Sequence, residues 1–105
     1  GTPEYVAPER VLARPWDHRV DIYSLGVLAY EMLTGRHPFR GRDYVATLTM
    51  HVKDPPVPPS RAFPELKIPA SIEKVLLKLL EKDPAARPEN MAVVEGLLCE
   101  AQIAC

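Results

Sequence analysis

The segment at residues 21–34, DIYSLGVLAYEMLT, constrains the fold of this chain more than any other stretch. It is typical of a helix, because Asp21 can cap its start, Gly35 can close its end, and Pro38 prevents its continuation. Its large apolar side chains point to all sides rather than along one stripe; they are Ile22, Tyr23, Leu25, Val27, Leu28, Tyr30, Met32 and Leu33. A helix of this kind is buried on every side. The sequence therefore predicts a domain built around one buried central helix.

Three further helices are predicted around this one. Residues 71–82 form an amphipathic pattern that ends before Pro84, and residues 88–102 form another, with Pro88 in its first turn. Residues 44–52 give a weaker pattern whose apolar stripe consists of Val45, Leu48 and Val52. No stretch alternates as a strand would, so the predicted fold class is all-α. These short helices can cover only part of the central one, so some partners of its apolar faces are expected to be missing.

A Pro-rich stretch without glycine, at residues 54–69, joins two of the predicted helices. Its composition favours a rigid connector. The spacings Pro55-x-x-Pro58 and Pro56-x-x-Pro59 leave a second interpretation open, a polyproline ligand for an aromatic groove.

Composition and charge exclude several classes of protein. The chain has 105 residues, of which 47% are hydrophobic, so a disordered chain is excluded. Its 13 basic and 14 acidic residues are interleaved, which gives no general attraction to nucleic acid or to anionic membranes. The longest apolar stretch is interrupted by Ser24 and Glu31 and is too short to span a bilayer, and nothing resembles a signal peptide. We therefore expect a soluble, cytoplasmic protein without a membrane segment in this part, and its oligomeric state stays open.

Three motifs follow one another along the chain. They are Gly1-Thr2-Pro3-x-Tyr5-x-Ala7-Pro8-Glu9, then Asp21-Ile22-Tyr23-Ser24-Leu25-Gly26, then Lys82-Asp83-Pro84-x-x-Arg87-Pro88. In this order and spacing they resemble the protein kinase family. The stretch Asp17-His18-Arg19-x-Asp21-Ile22-Tyr23-Ser24-Leu25-Gly26, together with the Pro-rich connector and the third motif, looks most like its bacterial branch. The resemblance covers essentially the whole chain. It implies that residues 1–105 are a partial catalytic domain, the C-terminal portion of the large helical lobe from the end of the activation segment to the last helix, without the N-terminal lobe and catalytic loop.

The resemblance implies structural roles for the residues around Ala7-Pro8-Glu9. Glu9 and Arg87, 78 positions apart, would form an ion pair that ties the activation segment to the loop before the last helix. The neighbouring Ala7 and Pro8 belong to the same motif and are expected to be structural as well.

The resemblance also assigns structural roles within the central helix. Asp21 would accept hydrogen bonds from the backbone of a catalytic loop, in addition to capping the helix. Leu28 and Met32, one turn apart, match the positions on which the family's internal hydrophobic column rests.

Four residues are expected to face a peptide substrate. Thr2 matches the threonine that contacts the catalytic Asp in serine/threonine kinases, and it would be an accessory to catalysis. Together with Pro3 and Tyr5 it would line the wall that holds the residue after the phosphorylated Ser or Thr. Glu31 matches a position that reads an Arg upstream of the target in some kinases. The sequence before Ala7 favours Ser/Thr specificity over Tyr.

No catalytic residue, cofactor site or metal site can be assembled from this chain. Its five glycines do not form G-x-G-x-x-G, and no Asp-Phe-Gly occurs. His18-Arg19-Val20-Asp21 imitates the catalytic H-R-D motif, but Val20 stands where Asp is needed, so His18 is a decoy. The three histidines have no partners at metal-ligand spacing. MgATP is therefore expected as the cofactor of a full-length protein and not of this chain alone.

The predicted function is that of a fragment of a serine/threonine protein kinase, which transfers the γ-phosphoryl group of ATP to protein Ser and Thr hydroxyls. This part would supply substrate-docking and structural elements. Two alternatives remain open: a non-catalytic, kinase-like interaction module, and a truncated product without activity.

Overall fold

A computed structural model of the chain describes residues 4–101. Within that range six α-helices and two 3-10 turns form, and none of these residues lies in a β-strand, so the all-α prediction is confirmed. The helices are α1 (Pro8–Val11), α2 (Arg19–Thr34), α3 (Tyr44–Lys53), α4 (Pro59–Ala62), α5 (Ala70–Leu79) and α6 (Met91–Glu100). The 3-10 turns are Pro64–Leu66 and Pro84–Ala86. No helix in this part of the chain is long and apolar enough to cross a membrane.

The central helix α2 begins two residues earlier than predicted. The Asp17 carboxylate accepts the backbone N–H of Arg19 at 2.9 Å and its guanidinium at 2.7 Å, so the start of α2 is stabilised there. Asp21 lies in the first turn, and the prediction that it caps the helix is wrong. At the other end Gly35 adopts a φ of 73°, and its N–H donates to the Glu31 carbonyl at 2.7 Å, as predicted.

One side of α2 carries the core. Its buried residues pack with α5 and with the loop around Phe39 in one cluster: Ala7, Val20, Tyr23, Val27, Tyr30, Phe39, Leu76 and Leu80. Ile22 joins Leu79 and Val94 in a second cluster. Helices α2 and α5 approach closely at Gly26, where a β-carbon would lie only 2.8 Å from the Leu79 Cβ. Glycine is therefore required at this crossing.

The opposite side of α2 is not covered. Leu28 is 44% exposed, Leu33 is 39% exposed, and Met32, at 77%, is almost fully in solvent. The expectation of a helix buried on every side is therefore wrong for the described residues. The reason is that α5 and α6 pack on the same side of α2 as the rest of the core. We call Leu28, Met32 and Leu33 the open face. It is the part of α2 for which the covering partners are missing, as the sequence predicts.

Helix α3 turns a different side inward from the one predicted. Asp43 caps it by accepting the Ala46 N–H at 2.8 Å. Its buried residues are Thr47 and His51, one turn apart, whereas Val45 of the predicted apolar stripe is 69% exposed. The polar pair is preferred because the interior beside α3 offers partners for it: the Thr47 hydroxyl accepts the Gly41 N–H at 2.9 Å, and His51 meets Tyr23.

The last two helices are shorter than predicted. α5 ends at Leu79, and the chain then turns so that Lys82 points into the interior, where its side chain donates to the Met50 carbonyl at 3.3 Å. α6 begins at Met91, because the Asn90 side chain accepts the Val93 N–H at 3.0 Å and caps it. Pro88 lies buried before the helix rather than in its first turn.

Two contacts fix the Pro-rich stretch to the core. The Tyr30 hydroxyl donates to the Val57 carbonyl at 2.7 Å, and the Pro59 side chain is fully buried at the start of α4. The spacing Pro56-x-x-Pro59 is therefore not accessible to a groove, which supports the interpretation as a rigid connector.

Candidate functional site

A buried ion pair joins the two ends of the described chain. The Arg87 guanidinium donates to both oxygens of the Glu9 carboxylate, at 2.7 and 2.8 Å, and the two side chains are 0% and 4% exposed. Burial by itself would raise the pKa of Glu9, but the hydrogen bonds from Arg87 and from the backbone outweigh it, and the pKa is lowered. Glu9 is therefore held as a carboxylate.

The same guanidinium also organises the backbone around it. Arg87 donates to the carbonyls of Arg19, Glu81 and Lys82, at 3.0, 2.8 and 3.3 Å. It thus connects α1, the start of α2 and the loop after α5. Because its donors are satisfied and the charges are paired, removing either partner would leave an uncompensated buried charge.

The segment before α1 is held against α2 and forms a ledge, which we define as Glu4, Tyr5 and Val6. The Ser24 hydroxyl donates to the Tyr5 carbonyl at 2.7 Å, and the Tyr5 hydroxyl donates to the Glu31 carboxylate at 2.8 Å. The bond to Glu31 is the main reason that the pKa of Tyr5 is raised. At the edge of the ledge, Glu4 pairs with Arg40 at 3.1 Å.

A row of aromatic rings runs from the ledge towards the ion pair. The Tyr5 ring contacts His37 edge-on, with centroids 5.5 Å apart, and His37 contacts His51 in the same way at 6.0 Å. The His51 Nδ1 and the Tyr23 hydroxyl lie 2.7 Å apart, and the Arg87 guanidinium lies 4.9 Å from the centroid of the Tyr23 ring. The ledge and the ion pair therefore belong to one packed unit.

Sequence reasoning missed this row. His37 and His51 have no sequence pattern that marks them as core residues. The one available signal was the position of His51 four residues after Thr47, on one face of α3.

The predicted site residues fall into three groups. Thr2 and Pro3 lie outside the described residues. Tyr5 and Glu31 are brought together at the ledge, as are Glu9 and Arg87 at the ion pair, beside the buried Ala7 and Pro8. Asp21, Leu28 and Met32 are exposed, and of these Asp21 lines a small pocket beside Tyr5 and Val6. The decoy His18 donates from Nε2 to the Glu89 carbonyl at 2.6 Å.

The charged groups of the ledge and of the ion pair are bonded to one another. Among residues 4–101, no three His, Cys, Asp or Glu side chains are grouped to hold a metal ion. The carboxylates of Glu9 and Glu31 are each engaged by a neighbour. These residues therefore do not fit MgATP, and they are suited to shape and support a surface.

Comparisons with known proteins give a consistent result. The sequence model of the family described as "Protein kinase domain" matches residues 1–97. The serine/threonine-protein kinase Pkn1 of Myxococcus xanthus is 45% identical over 98 residues, which cover 93% of this chain and 14% of Pkn1. The serine/threonine-protein kinase PknB of Mycolicibacterium smegmatis is 41% identical over 92 residues, 88% of this chain and 14% of PknB. The chain thus spans about a seventh of the length of these relatives.

A solved structure agrees with the fold. The twitchin kinase region of C. elegans superposes with a TM-score of 0.81 at 27% sequence identity, over 97% of this chain and 17% of that one. The resemblance stated from the three motifs, including its bacterial type, is confirmed.

Proposed function

Because the chain belongs to the protein kinase family, we propose that it is the substrate-side portion of a serine/threonine kinase catalytic domain. Residues 1–105 then run from the end of the activation segment to the last helix, and the N-terminal lobe and catalytic loop belong to other parts of a full-length protein. That protein transfers the γ-phosphoryl group of ATP to Ser or Thr hydroxyls of protein substrates, and this portion docks the substrate.

The observation that carries the proposal is the ledge with its bond to Glu31. An extended peptide needs a surface whose shape does not change when it binds, since every group that must be ordered lowers affinity. The ledge meets this need because Ser24 fixes its backbone and Glu31 fixes the Tyr5 ring. Thr2 and Pro3 come directly before it in sequence and complete the proposed docking wall.

Glu31 gives this wall a chemical preference. Its carboxylate is half-buried and has one oxygen bonded to Tyr5, which leaves the second oxygen for a guanidinium or ammonium group. We therefore expect a substrate that carries an Arg upstream of the phosphorylated residue.

MgATP supplies the phosphoryl group in this reaction, and the residues described here do not fit it. No step through the nucleotide is derived from this chain. Its own residues act by holding the peptide and by anchoring α1 through the Glu9–Arg87 pair.

The experiment compares Glu31→Gln with the wild type in the full-length protein. Two peptides are phosphorylated with MgATP, one with Arg upstream of the target Ser and one with Ala there. We expect Glu31→Gln to lower kcat/KM for the Arg peptide about tenfold, the usual scale for a lost charged hydrogen bond, and to leave the Ala peptide unchanged. Glu95→Gln, at an exposed position of α6, is the control.

Two results would contradict the proposal. If the wild type binds Ser-containing peptides but transfers no phosphate, the non-catalytic interaction module is the better description. If phosphate is transferred and Glu31→Gln lowers both peptides equally, the enzyme assignment stands and the docking role of Glu31 is wrong.

A further inference from the structure

Arg40 lies beside the ledge and pairs with one of its acidic groups. Its Nη2 donates to the Glu4 Oε2 at 3.1 Å, and this is the one ion pair that either side chain makes with a described residue. The Arg40 side chain is 67% exposed and the Glu4 side chain is 40% exposed. An ion pair so open to water contributes about 1 kcal/mol or less, so another cation can replace Arg40 at little cost.

The residues on both sides of Arg40 are fixed to the fold. Phe39 is 1% exposed in the core, and its N–H donates to the His37 Nδ1 at 3.1 Å. On the other side, the Gly41 N–H donates to the Thr47 hydroxyl at 2.9 Å. The loop therefore presents one long cationic side chain at a defined position next to the ledge.

Two carboxylates and one guanidinium act on the Tyr5 hydroxyl. The hydrogen bond to Glu31, 2.8 Å long, is the largest cause of the raised pKa of Tyr5; the charge of Glu4 adds to it and the charge of Arg40 opposes it. Charges in water are screened over about 10 Å, so the three groups lie within reach of one bound peptide. Together they leave the charge of a single carboxylate for that peptide.

Resting on the proposed function, we propose that Arg40 sets the number of basic residues that the docking wall reads in a substrate. Arg40 brings to Glu4 the same guanidinium group that a substrate Arg would bring, so Glu4 is already occupied. The wall then reads one upstream Arg, through the second oxygen of Glu31. A further substrate Arg gains nothing at Glu4, because it only exchanges one guanidinium–carboxylate pair for another.

The test measures binding of labelled peptides to the full-length protein by fluorescence anisotropy, without ATP. One peptide carries a single Arg upstream of the target Ser, and the others carry a second Arg at one or the other position beside it. We expect the wild type to bind all of them equally within about twofold. Arg40→Gln should bind one of the two-Arg peptides about three- to fivefold more tightly than the one-Arg peptide, which is the scale of an exposed ion pair. This preference should disappear at high salt.

Three further variants separate the release of Glu4 from a change in net charge. Arg42→Gln is the matched control, because Arg42 is exposed in the same loop and forms no ion pair with a described residue. It should bind the peptides as the wild type does, and so should Arg40→Lys, which keeps a cation beside Glu4. In a Glu4→Gln background, Arg40→Gln should no longer create the preference for two arginines.

Two results would overturn the role of Arg40. One is an Arg40→Gln variant with no greater preference for two arginines than the wild type, and the other is an equal preference in Arg42→Gln. Phosphate transfer by the same protein tests the proposed function separately. Transfer without the change in preference would leave the enzyme assignment standing and the role of Arg40 wrong. The change in preference without transfer would support the role of Arg40 in docking and contradict the enzyme assignment.

Discussion

The two sides of α2 differ in the kinds of residue that they bury. On the inner side, charged and polar groups are enclosed and satisfied: the Glu9–Arg87 pair is almost inaccessible, and His51 is fully buried against Tyr23. On the open face, large apolar groups remain in solvent, with Met32 77% exposed. Hydrophobicity alone therefore does not decide burial around α2, since polar groups with partners lie inside beside the apolar core and some apolar groups without partners lie outside.

The largest change in the free energy of unfolding is expected from a substitution at the ion pair. Arg87→Ala should lower the free energy of unfolding by about 3–5 kcal/mol, because Glu9 would stay buried without its partner. Urea denaturation measures this loss, and Arg61→Ala, at an exposed position of α4, is the control. A loss below about 1 kcal/mol would mean that water reaches Glu9 and that the inner side is less enclosed than described.

The crossing of α2 and α5 should be the next most sensitive place. Gly26→Ala puts a methyl group 2.8 Å from the Leu79 Cβ, and we expect a net loss of about 1–3 kcal/mol from overpacking. Gly96→Ala in α6 is the matched control, because a β-carbon there meets nothing within 4 Å. It should gain about 0.5–1 kcal/mol from helix propensity alone. Equal and favourable effects of the two substitutions, measured by thermal melting, would contradict the close crossing.

Substitutions at two neighbouring residues of α2 allow a direct comparison of the stability contributed by its two sides. Val27 is fully buried and Leu28 is 44% exposed. In the 105-residue chain, Val27→Ala should cost about 2 kcal/mol and Leu28→Ala less than about 1 kcal/mol, as measured by urea denaturation. Repeating Leu28→Ala in a longer protein sharpens the comparison. If its cost there rises to that of Val27→Ala, another segment covers the open face.

The smallest effect is a dependence on pH that arises from Lys82. Its pKa is about 8 in the folded chain and 10.5 in the unfolded one, so the unfolded state binds more protons between these values. The free energy of unfolding should therefore rise with pH, by about 1 kcal/mol between about pH 8 and 9.5, with allowance for partial exposure.

Urea denaturation at a series of pH values measures this rise, and two further results test its assignment to Lys82. Lys82→Met should abolish the rise, and a slope that is unchanged in this variant would assign it to another group. Above about pH 10 the trend should reverse, because burial raises the pKa of Tyr23 and ionisation then favours the unfolded state.

Sequence patterns predicted which helices form better than they predicted where the helices begin and what they contact. The long helix and its end at Gly35 were predictable because a left-handed glycine and a following proline act locally. The start of the same helix was not, since Asp21 is a suitable cap by residue type, but the helix begins two residues earlier, where the Asp17 carboxylate accepts the Arg19 N–H. Similarly, Pro88 can begin a helix, but Asn90 caps the one that forms.

The interior polar row shows the limit of periodicity. In α3, apolar spacing pointed to Val45 as a core residue, but the partners that bury Thr47 and His51 come from Gly41 and Tyr23, elsewhere in the chain. Contacts between Glu9 and Arg87, and between Tyr5 and Glu31, could be anticipated only through the family resemblance, because no local rule joins residues so far apart.

The sequence separation of Glu9 and Arg87 has a consequence for the chain during its synthesis. The carboxylate that anchors α1 is translated 78 residues before its guanidinium partner. At about 5–20 residues per second, Glu9 exists for several seconds before Arg87 is added. During that interval the only stable place for its charge is water. Helix α1, which follows the ledge, can therefore be anchored through this ion pair only after Arg87 has been made.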